Sequence, residues 1–190
     1  MKRACEHLKD PAFKLYCYFL SAVLPIFDEA NTLLQQDQPC IHVLHRTLTT
    51  QLKDLLNRFV KPEVINAAAE VQFSQPGNQK SNEALFIGHN TRTFIADHPE
   101  LEELQVAKFY SAVRAFYVKA VEYMVKKFPY KDPVLLNASV ADMSTRDSAD
   151  FNSIRYFTGR FPCLRMNAEE MEGSIHDVPN GCSAREHHQL

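Results

Sequence analysis

An amphipathic stretch from residue 97 to residue 128 constrains the fold more than any other part of the chain. Its apolar residues recur at steps of three and four, which place them on one side of an α-helix. They are Val106, Phe109, Val113, Phe116, Ala120, Met124 and Phe128, and a second row adds Tyr110, Tyr117, Val121 and Val125. Because so wide an apolar side needs more than one neighbour to cover it, the stretch predicts a long helix at the centre of a helical protein.

Both ends of this stretch carry helix-boundary signals. Asp97 and Glu100 have the spacing of a capping box, and Pro99 suits a first helical turn. Lys126 and Lys127 lie near the other end, where positive charge complements the helix dipole. These signals predict a helix of about 28 residues, which corresponds to a length of roughly 42 Å.

Two helices are predicted upstream. The first begins at Asp10 and continues to about Gln36, and Pro25 is expected to kink or split it because proline lacks the N–H that the helix needs. The second runs from about Cys40 to Val60, and the short turn between them predicts an antiparallel hairpin. Their apolar sides are predicted to consist of Tyr16, Leu20, Val23, Phe27, Ala30 and Leu34 in the first helix, and of Ile41, Leu44, Leu48, Leu52, Leu55 and Phe59 in the second.

The segments that follow the hairpin are shorter. Residues 72–83 contain Pro, Gly and many polar side chains and are predicted to form a loop. Residues 84–88 and 91–96 are too short for periodicity to distinguish helix from strand.

Two short helices are predicted near the end of the chain. One is capped by Asp132. The other is capped by Ser148 or Asp150 and ends near Gly159, a residue type that commonly terminates helices. The polar stretch 164–190 has few large apolar residues, and we expect it to be poorly ordered.

Together these elements predict an all-α fold. A long helical hairpin packs on one long amphipathic helix, and short accessory helices complete the core. Residues 1–163 form this helical domain, and residues 164–190 form the polar tail. A composition with 45% hydrophobic and 23% charged residues is normal for such a domain.

Charge and composition limit the function classes. A net charge of −2 and a pI of about 6.4 exclude binding to nucleic acid through overall charge, so a DNA contact needs a local basic patch. Five Cys without short paired spacings indicate a reducing, intracellular compartment. The first residues lack the apolar run of a signal peptide, and residues 15–34 contain too many polar side chains to span a bilayer. We therefore expect no membrane partner.

Few residues have the spacing that catalysis or metal binding requires. Cys40, His42 and His45 form a C-x-H-x-x-H pattern, but no second ligand cluster accompanies it, and His near a helix end is common without a metal. The acidic clusters are expected to serve turns and caps or to be solvated. They consist of Asp142, Asp147 and Asp150, and of Glu169, Glu170 and Glu172. The sequence predicts no metal site and no cofactor.

Basic residues on the polar side of the long helix could form a local patch. A solvated surface whose charge complements the helix dipole is the simpler interpretation of this pattern. Arg160 lies beside aromatic residues, where a structural role is again simpler than base stacking. The basic residues of the long helix are Lys108, Arg114, Lys119, Lys126 and Lys127.

Three stretches follow one another in a specific order: CIHVLHRTLTTQLKDLLNRFVKPEVI, FYSAVRAFYVKAVEYMVKKFPYKDPVLLNASVAD and FNSIRYFTGRFP. An aromatic helix, KKFP, a short linker, D-P-V-L and a later R-F-P resemble the region between the second and third catalytic acids of hAT-superfamily transposases. The similarity is greatest to vertebrate proteins derived from these transposases. It covers about Phe13 to Pro162.

The resemblance implies a helical domain that is inserted into an RNase H-like catalytic core. The core of such enzymes holds its metals with three acids, of which two precede the insertion, where this chain has no matching segment. The third is expected near Glu169, Glu170 and Glu172, but a polar run follows these residues instead of an apolar helix. Because the reaction needs all three carboxylates, we expect the chain not to be an enzyme.

The function that the resemblance implies is that of a transposase-derived helical domain in the nucleus, without autonomous catalysis and associated with DNA. The expected contacts with DNA are Lys108, Lys119, Lys126, Lys127 and Arg160. The alternative is a helical protein-interaction module that binds a protein partner or itself through exposed helical faces. A continuous basic groove along the long helix would favour DNA, and an exposed apolar stripe on the hairpin would favour a protein.

Overall fold

The computed structural model describes residues 10–67, 71–144, 150–161 and 164. In these ranges the regular structure is helical and no β-strand occurs, which confirms the predicted all-α fold. The helices are α1 (Pro11–Val23), α2 (Pro25–Leu34), α3 (Ile41–Phe59), α4 (Pro62–Ala67), α5 (His89–Asp97), α6 (Glu103–Lys127), α7 (Pro133–Ala138) and α8 (Phe151–Arg160), with 3-10 turns at Pro76–Asn78 and Ser139–Ala141. The predicted tail lies outside the described residues except for Leu164, and Asp147 lies outside them too.

Helix α3 is the central element. It packs against α2 and α6 on different sides, and its first half also contacts α7 and the turn at Ser139–Ala141. Gln51 of α3, which is buried, donates a hydrogen bond of 3.0 Å to the carbonyl of Ile26 in α2. Thus α2 and α3 form the predicted hairpin, and α6 packs on it.

The first arm of the hairpin is split at Leu24, as Pro25 predicted. Leu24 keeps helical backbone angles and its N–H bonds to the carbonyl of Leu20, but Pro25 has no N–H to continue the series. Of the two halves of this arm, α2 packs against α3, whereas α1 packs against α5 and α6.

The buried side of α1 differs from the prediction. Leu15, Phe19 and Val23 are buried, while the predicted core residues Tyr16 and Leu20 are 36% and 38% exposed. The helix carries large apolar residues on nearly all sides, so periodicity alone could not decide which of two adjacent rows faces the core.

The start of the long helix also differs from the prediction. Asp97 is the last residue of α5, and α6 begins six residues later at Glu103. The Gln105 side chain accepts a hydrogen bond of 3.1 Å from the N–H of Glu102, so the capping signal lies there and not at Asp97. Helix α6 is therefore about 37 Å long. Its broad apolar side is confirmed except at Val125, which is 52% exposed.

Tyr117 occupies the centre of the core and is fully buried. Its ring stacks on Phe59 of α3 with centroids 5.3 Å apart, and it meets Phe19 of α1 edge to face at 5.8 Å. Its hydroxyl donates a hydrogen bond of 2.8 Å to the carbonyl of Phe86. One side chain thus joins α1, α3, α6 and the segment before α5.

The segment 78–86 closes the C-terminal end of α3. The last four carbonyls of a helix have no partner within it, and here each one is satisfied. The carbonyl of Leu56 accepts from the N–H of Val60, and the other three accept from residues of the segment. The donors are the Lys80 ammonium to Asn57, the Phe86 N–H to Arg58 and the Lys80 N–H to Phe59. The predicted loop at 72–83 is therefore irregular but extensively hydrogen-bonded.

The short helices near the end of the chain have the predicted caps. Asp132 accepts from the N–H of Val134 at 2.8 Å, and Asp150 accepts from the N–H of Asn152 at 2.9 Å. Gly159 does not terminate α8, which includes it and ends at Arg160; it also lacks the positive φ of a glycine stop.

Gly88 allows α1 and α5 to approach each other closely. Its φ is +87°, a value that side-chain-bearing residues rarely adopt. A Cβ atom at this position would lie 2.4 Å from the Cβ of Ala22 in α1.

Among the described helices, none is both long enough and apolar enough to cross a membrane.

We predict that Gly88→Ala destabilises the fold by about 2 kcal/mol or more, because it combines a left-handed backbone with a steric clash. Gly77→Ala is the matched control, since a Cβ there would meet nothing within 4 Å. The free energy of unfolding in urea measures both. Adding Ala22→Gly to Gly88→Ala should recover part of the loss, and equal stability of the two single variants would contradict the close approach.

A second prediction concerns alkaline pH. Burial raises the pKa of Tyr117 to about 12, while the nearby Arg58 acts in the opposite direction. A phenol whose pKa is higher in the folded state stabilises the fold below its unfolded pKa, near 10, and that contribution is lost as pH rises towards 12.

The variant Tyr117→Phe removes both this titration and the hydrogen bond to Phe86. We expect it to lose about 1 kcal/mol at pH 8 and to show a shallower decline of stability between pH 10 and 12 than the wild type. Urea unfolding over that pH range measures the difference. Tyr130, whose pKa burial also raises to about 12, is retained in the variant and affects both proteins equally. Parallel pH curves would contradict the assignment.

Candidate nucleic-acid interface

Three of the predicted DNA contacts lie in one row on α6. Lys108, Lys119 and Lys126 are all exposed. Because each residue of an α-helix is rotated by about 100° from the one before, the three positions point within about 20° of one another. Along the helix axis, Lys119 lies about 16 Å from Lys108 and about 10 Å from Lys126. We call these three residues the lysine row.

A carboxylate interrupts the lysine row. The Lys119 ammonium lies 2.6 Å from a carboxylate oxygen of Glu122, one turn further along α6. Both side chains are largely exposed, so the pair contributes little to stability, but it removes one net charge from the row. Lys108 and Lys126 form no ion pair with any residue in the described ranges. The row is therefore a series of separate charges and not a continuous basic groove.

The other two predicted contacts lie off this row. Lys127 is rotated by about 100° from Lys126, and its ammonium lies 5.8 Å from the ring centroid of Tyr123. Arg160 belongs to α8, which packs against α7. Its guanidinium lies 3.4 Å from the hydroxyl of Tyr156 and 5.9 Å from the ring centroid of Phe161. Both residues thus have local aromatic partners.

Arg114, the fifth basic residue of the long helix, has a structural role. It is half-buried, and its guanidinium donates a hydrogen bond of 2.7 Å to the carbonyl of Lys80. A weaker bond of 3.5 Å reaches the carbonyl of Tyr110. Arg114 therefore fixes the segment that closes α3 and is not part of the exposed basic surface.

A second apolar row of α1 is partly exposed, although its Tyr16 also meets the buried ring of Phe109 edge to face at 5.3 Å. It consists of Phe13, Tyr16, Leu20 and the junction residue Leu24, which are between 36% and 48% exposed. Their spacing of three and four residues places them on one side of the helix. We call these four residues the apolar stripe; it is the feature that the sequence analysis associated with a protein partner.

One candidate metal ligand, His45, and one candidate acid, Asp142, have local structural partners. The His45 ring lies 3.2 Å from the carbonyl of Tyr130. Hydrogen bonds from the Ser144 side chain and N–H lower the pKa of Asp142, and the charge of Arg46, 3.1 Å away, adds to this effect. Within the described ranges, no group of three or more His, Cys, Asp or Glu residues could hold a metal ion.

An open cavity that the sequence did not predict lies where α3 ends and α5 begins. It has a volume of about 410 Å³, and its lining includes Arg58, Lys80, Arg92 and His89. The ring of Phe86, which is 38% exposed, also lines it. No carboxylate is part of this lining in the portion of the chain that the structure describes. We call this cavity the basic groove.

Each cation of the basic groove is held by backbone carbonyls. The Arg58 guanidinium lies 4.3 Å from the ring centroid of Phe86 and 3.5 Å from the carbonyl of Ala22. Arg92 donates to the carbonyl of Leu85, and Lys80 donates to a carbonyl at the end of α3. These residues come from three separate elements, so no motif or spacing in the sequence could have grouped them.

Comparison of the chain with models of protein families, with curated proteins and with solved structures gave no match. The resemblance to hAT transposases therefore stays a prediction.

Proposed function

We propose that this chain is a transposase-derived helical domain that has no catalytic activity of its own and contacts DNA through the lysine row. The observation that carries the proposal is the alignment of Lys108, Lys119 and Lys126 on the exposed side of the long helix, which offers separate phosphate contacts and not the continuous groove that would favour DNA more strongly. The all-α fold agrees with what the resemblance implies for an inserted domain. The nuclear location that the family implies would bring the chain to its ligand.

Lysines spaced in this way suit contact with phosphates and not with base edges. The ends of the lysine row are about 27 Å apart, which corresponds to about eight base pairs of B-DNA. Ammonium groups bind phosphates without reading sequence, so we expect weak, salt-sensitive binding that does not depend on sequence. Such a domain would support DNA beside a separate catalytic core.

The apolar stripe favours a second function, that of a protein-interaction module. Four neighbouring apolar side chains on one exposed helix side form a surface that proteins commonly use to bind one another. The two functions differ in one measurement. An absence of DNA binding at low salt, together with self-association in sedimentation velocity that Leu20→Lys abolishes, would favour the second function.

The salt dependence of DNA binding tests the first function. The double variant Lys108→Gln, Lys126→Gln removes the two lysines of the row that form no ion pair with a described residue. Because each phosphate contact contributes about 0.9 to the slope of log affinity against log salt concentration, we expect the slope to fall by about 2. Fluorescence anisotropy of a labelled duplex over a range of salt concentrations gives this slope.

A charge-matched control separates contact from net charge. Lys14→Gln with Lys53→Gln removes the same charge from exposed positions of α1 and α3. It should leave the slope close to that of the wild type. If the two double variants have the same slope, or if the wild type does not bind DNA at low salt, the lysine row is not the DNA contact.

Removing the Glu122 carboxylate, which interrupts the lysine row, should raise the affinity for DNA, whereas removing the lysines should lower it. Glu122→Gln removes the carboxylate beside Lys119 and frees its ammonium for a phosphate. We expect DNA affinity to rise about two- to fivefold, since an exposed ion pair is worth at most about 1 kcal/mol. Glu63→Gln, an exposed change in α4, is the control and should have a smaller effect in the same anisotropy assay. An unchanged or lower affinity of Glu122→Gln would count against the proposal.

A further inference from the structure

The basic groove concentrates positive charge without a lining carboxylate. Arg58, Lys80 and Arg92 are half-buried and line one cavity, and none of them forms an ion pair with a residue of the described ranges. The carbonyls that accept their hydrogen bonds supply only partial negative charge. Hydrogen bonds from the Ser81 side chain and from its own N–H lower the pKa of Glu83, and the charge of Arg92 contributes less to this effect. Glu83 itself does not line the groove.

The groove is held in one arrangement by its backbone. The N–H of Phe86 bonds to the carbonyl of Arg58 at 2.9 Å, and its carbonyl accepts from the hydroxyl of Tyr117 at 2.8 Å. The N–H of Lys80 bonds to Phe59 at 2.8 Å, and the carbonyl of Lys80 accepts from Arg114. The cations are thus fixed before a ligand arrives, which lowers the entropic cost of binding one.

Phe86 adds a second chemical element. Its backbone N–H and carbonyl are both hydrogen-bonded, yet the residue is 38% exposed and lines the groove, with the guanidinium of Arg58 over its ring. An exposed aromatic ring beside cations is the combination that binds nucleotides, because the base stacks on the ring and the phosphate pairs with the charges. The volume of about 410 Å³ lies in the range of small-molecule sites.

We propose that the basic groove binds a phosphate ester, with its phosphate between Arg58, Lys80 and Arg92 and an attached base against Phe86. The ligand is a free nucleotide or the exposed nucleotide of a single strand, which share this chemistry. The inference goes beyond the proposed function and does not rest on it, since no residue of the lysine row lines the groove.

The decisive variant adds a charge without removing any donor. Asn57 lines the groove and its side chain is exposed, so Asn57→Asp places a carboxylate among the cations and keeps their hydrogen bonds to carbonyls. Asn31→Asp is the matched control: it is an exposed change near the C-terminal end of α2 and lies outside the groove. Thermal unfolding of both variants checks that they fold.

The test uses the full ¹⁵N-labelled chain and three probes, namely inorganic phosphate, adenosine 5′-monophosphate and single-stranded oligo(dT). We expect saturable shifts of the amide signals of Phe86 and His89, and a dissociation constant that Asn57→Asp raises about tenfold or more while Asn31→Asp changes it less than about twofold. Phe86→Leu should weaken the nucleotide about tenfold and leave inorganic phosphate unaffected.

The probes also separate the two sources of the ligand. Tighter binding of oligo(dT) than of the mononucleotide, in variants that lack the lysine row as well, supports a single strand; the reverse order supports a free nucleotide. The proposal would be overturned if none of the three probes produced saturable shifts. Equal weakening by Asn57→Asp and Asn31→Asp would overturn it as well, and neither result would affect the duplex measurements on the lysine row.

Discussion

A helix that ends inside a protein leaves four carbonyl oxygens that need donors, and α3 ends beside the core of this one. Val60 satisfies one of these carbonyls, Lys80 and Phe86 satisfy the other three from 21 to 28 positions further along the chain, and Tyr117 holds Phe86 in place. The stacked ring of Tyr117 lies on Phe59 at the end of α3, while its hydroxyl binds the carbonyl of Phe86. Burial and hydrogen bonding therefore act at the same point, and the packing of α1 and α5 depends on it through Phe19 and Gly88.

The same closure accounts for the surfaces that the protein presents. Because the backbone of Phe86 is bonded at both its N–H and its carbonyl, its ring is left on the surface beside Arg58. Lys80 satisfies a helix-end carbonyl and complements the negative end of the α3 dipole, so its charge stabilises the fold and also contributes to the groove. The lysine row contributes less to the fold, although Lys126 complements the negative end of the α6 dipole. The exposed charges of the row stabilise the fold little.

The sequence predicted the elements well where a local signal was strong. Proline placed the junction at Leu24, and aspartate placed the starts of α7 and α8. It failed where two signals competed. Asp97 has the preferred side chain for a helix start, but α6 begins with the capping box of Glu102 and Gln105. Both rows of α1 are apolar, and their spacing could not determine that Phe19 would be buried. The lysine row could be predicted because it lies within one helix, whereas the basic groove could not, because its three cations meet only after folding.

Segment 78–86 is largely exposed, but its backbone hydrogen bonds to α3 and its buried Leu85 make it a fixed part of the fold and not a mobile loop. Native-state hydrogen exchange of the amides of Lys80 and Phe86 tests this claim most directly, since both donate to carbonyls at the end of α3. If the claim is correct, these two amides exchange as slowly as those of Phe59 and Tyr117, through global unfolding alone. Exchange at the rate of an open loop, while the helical amides stay protected, would contradict it.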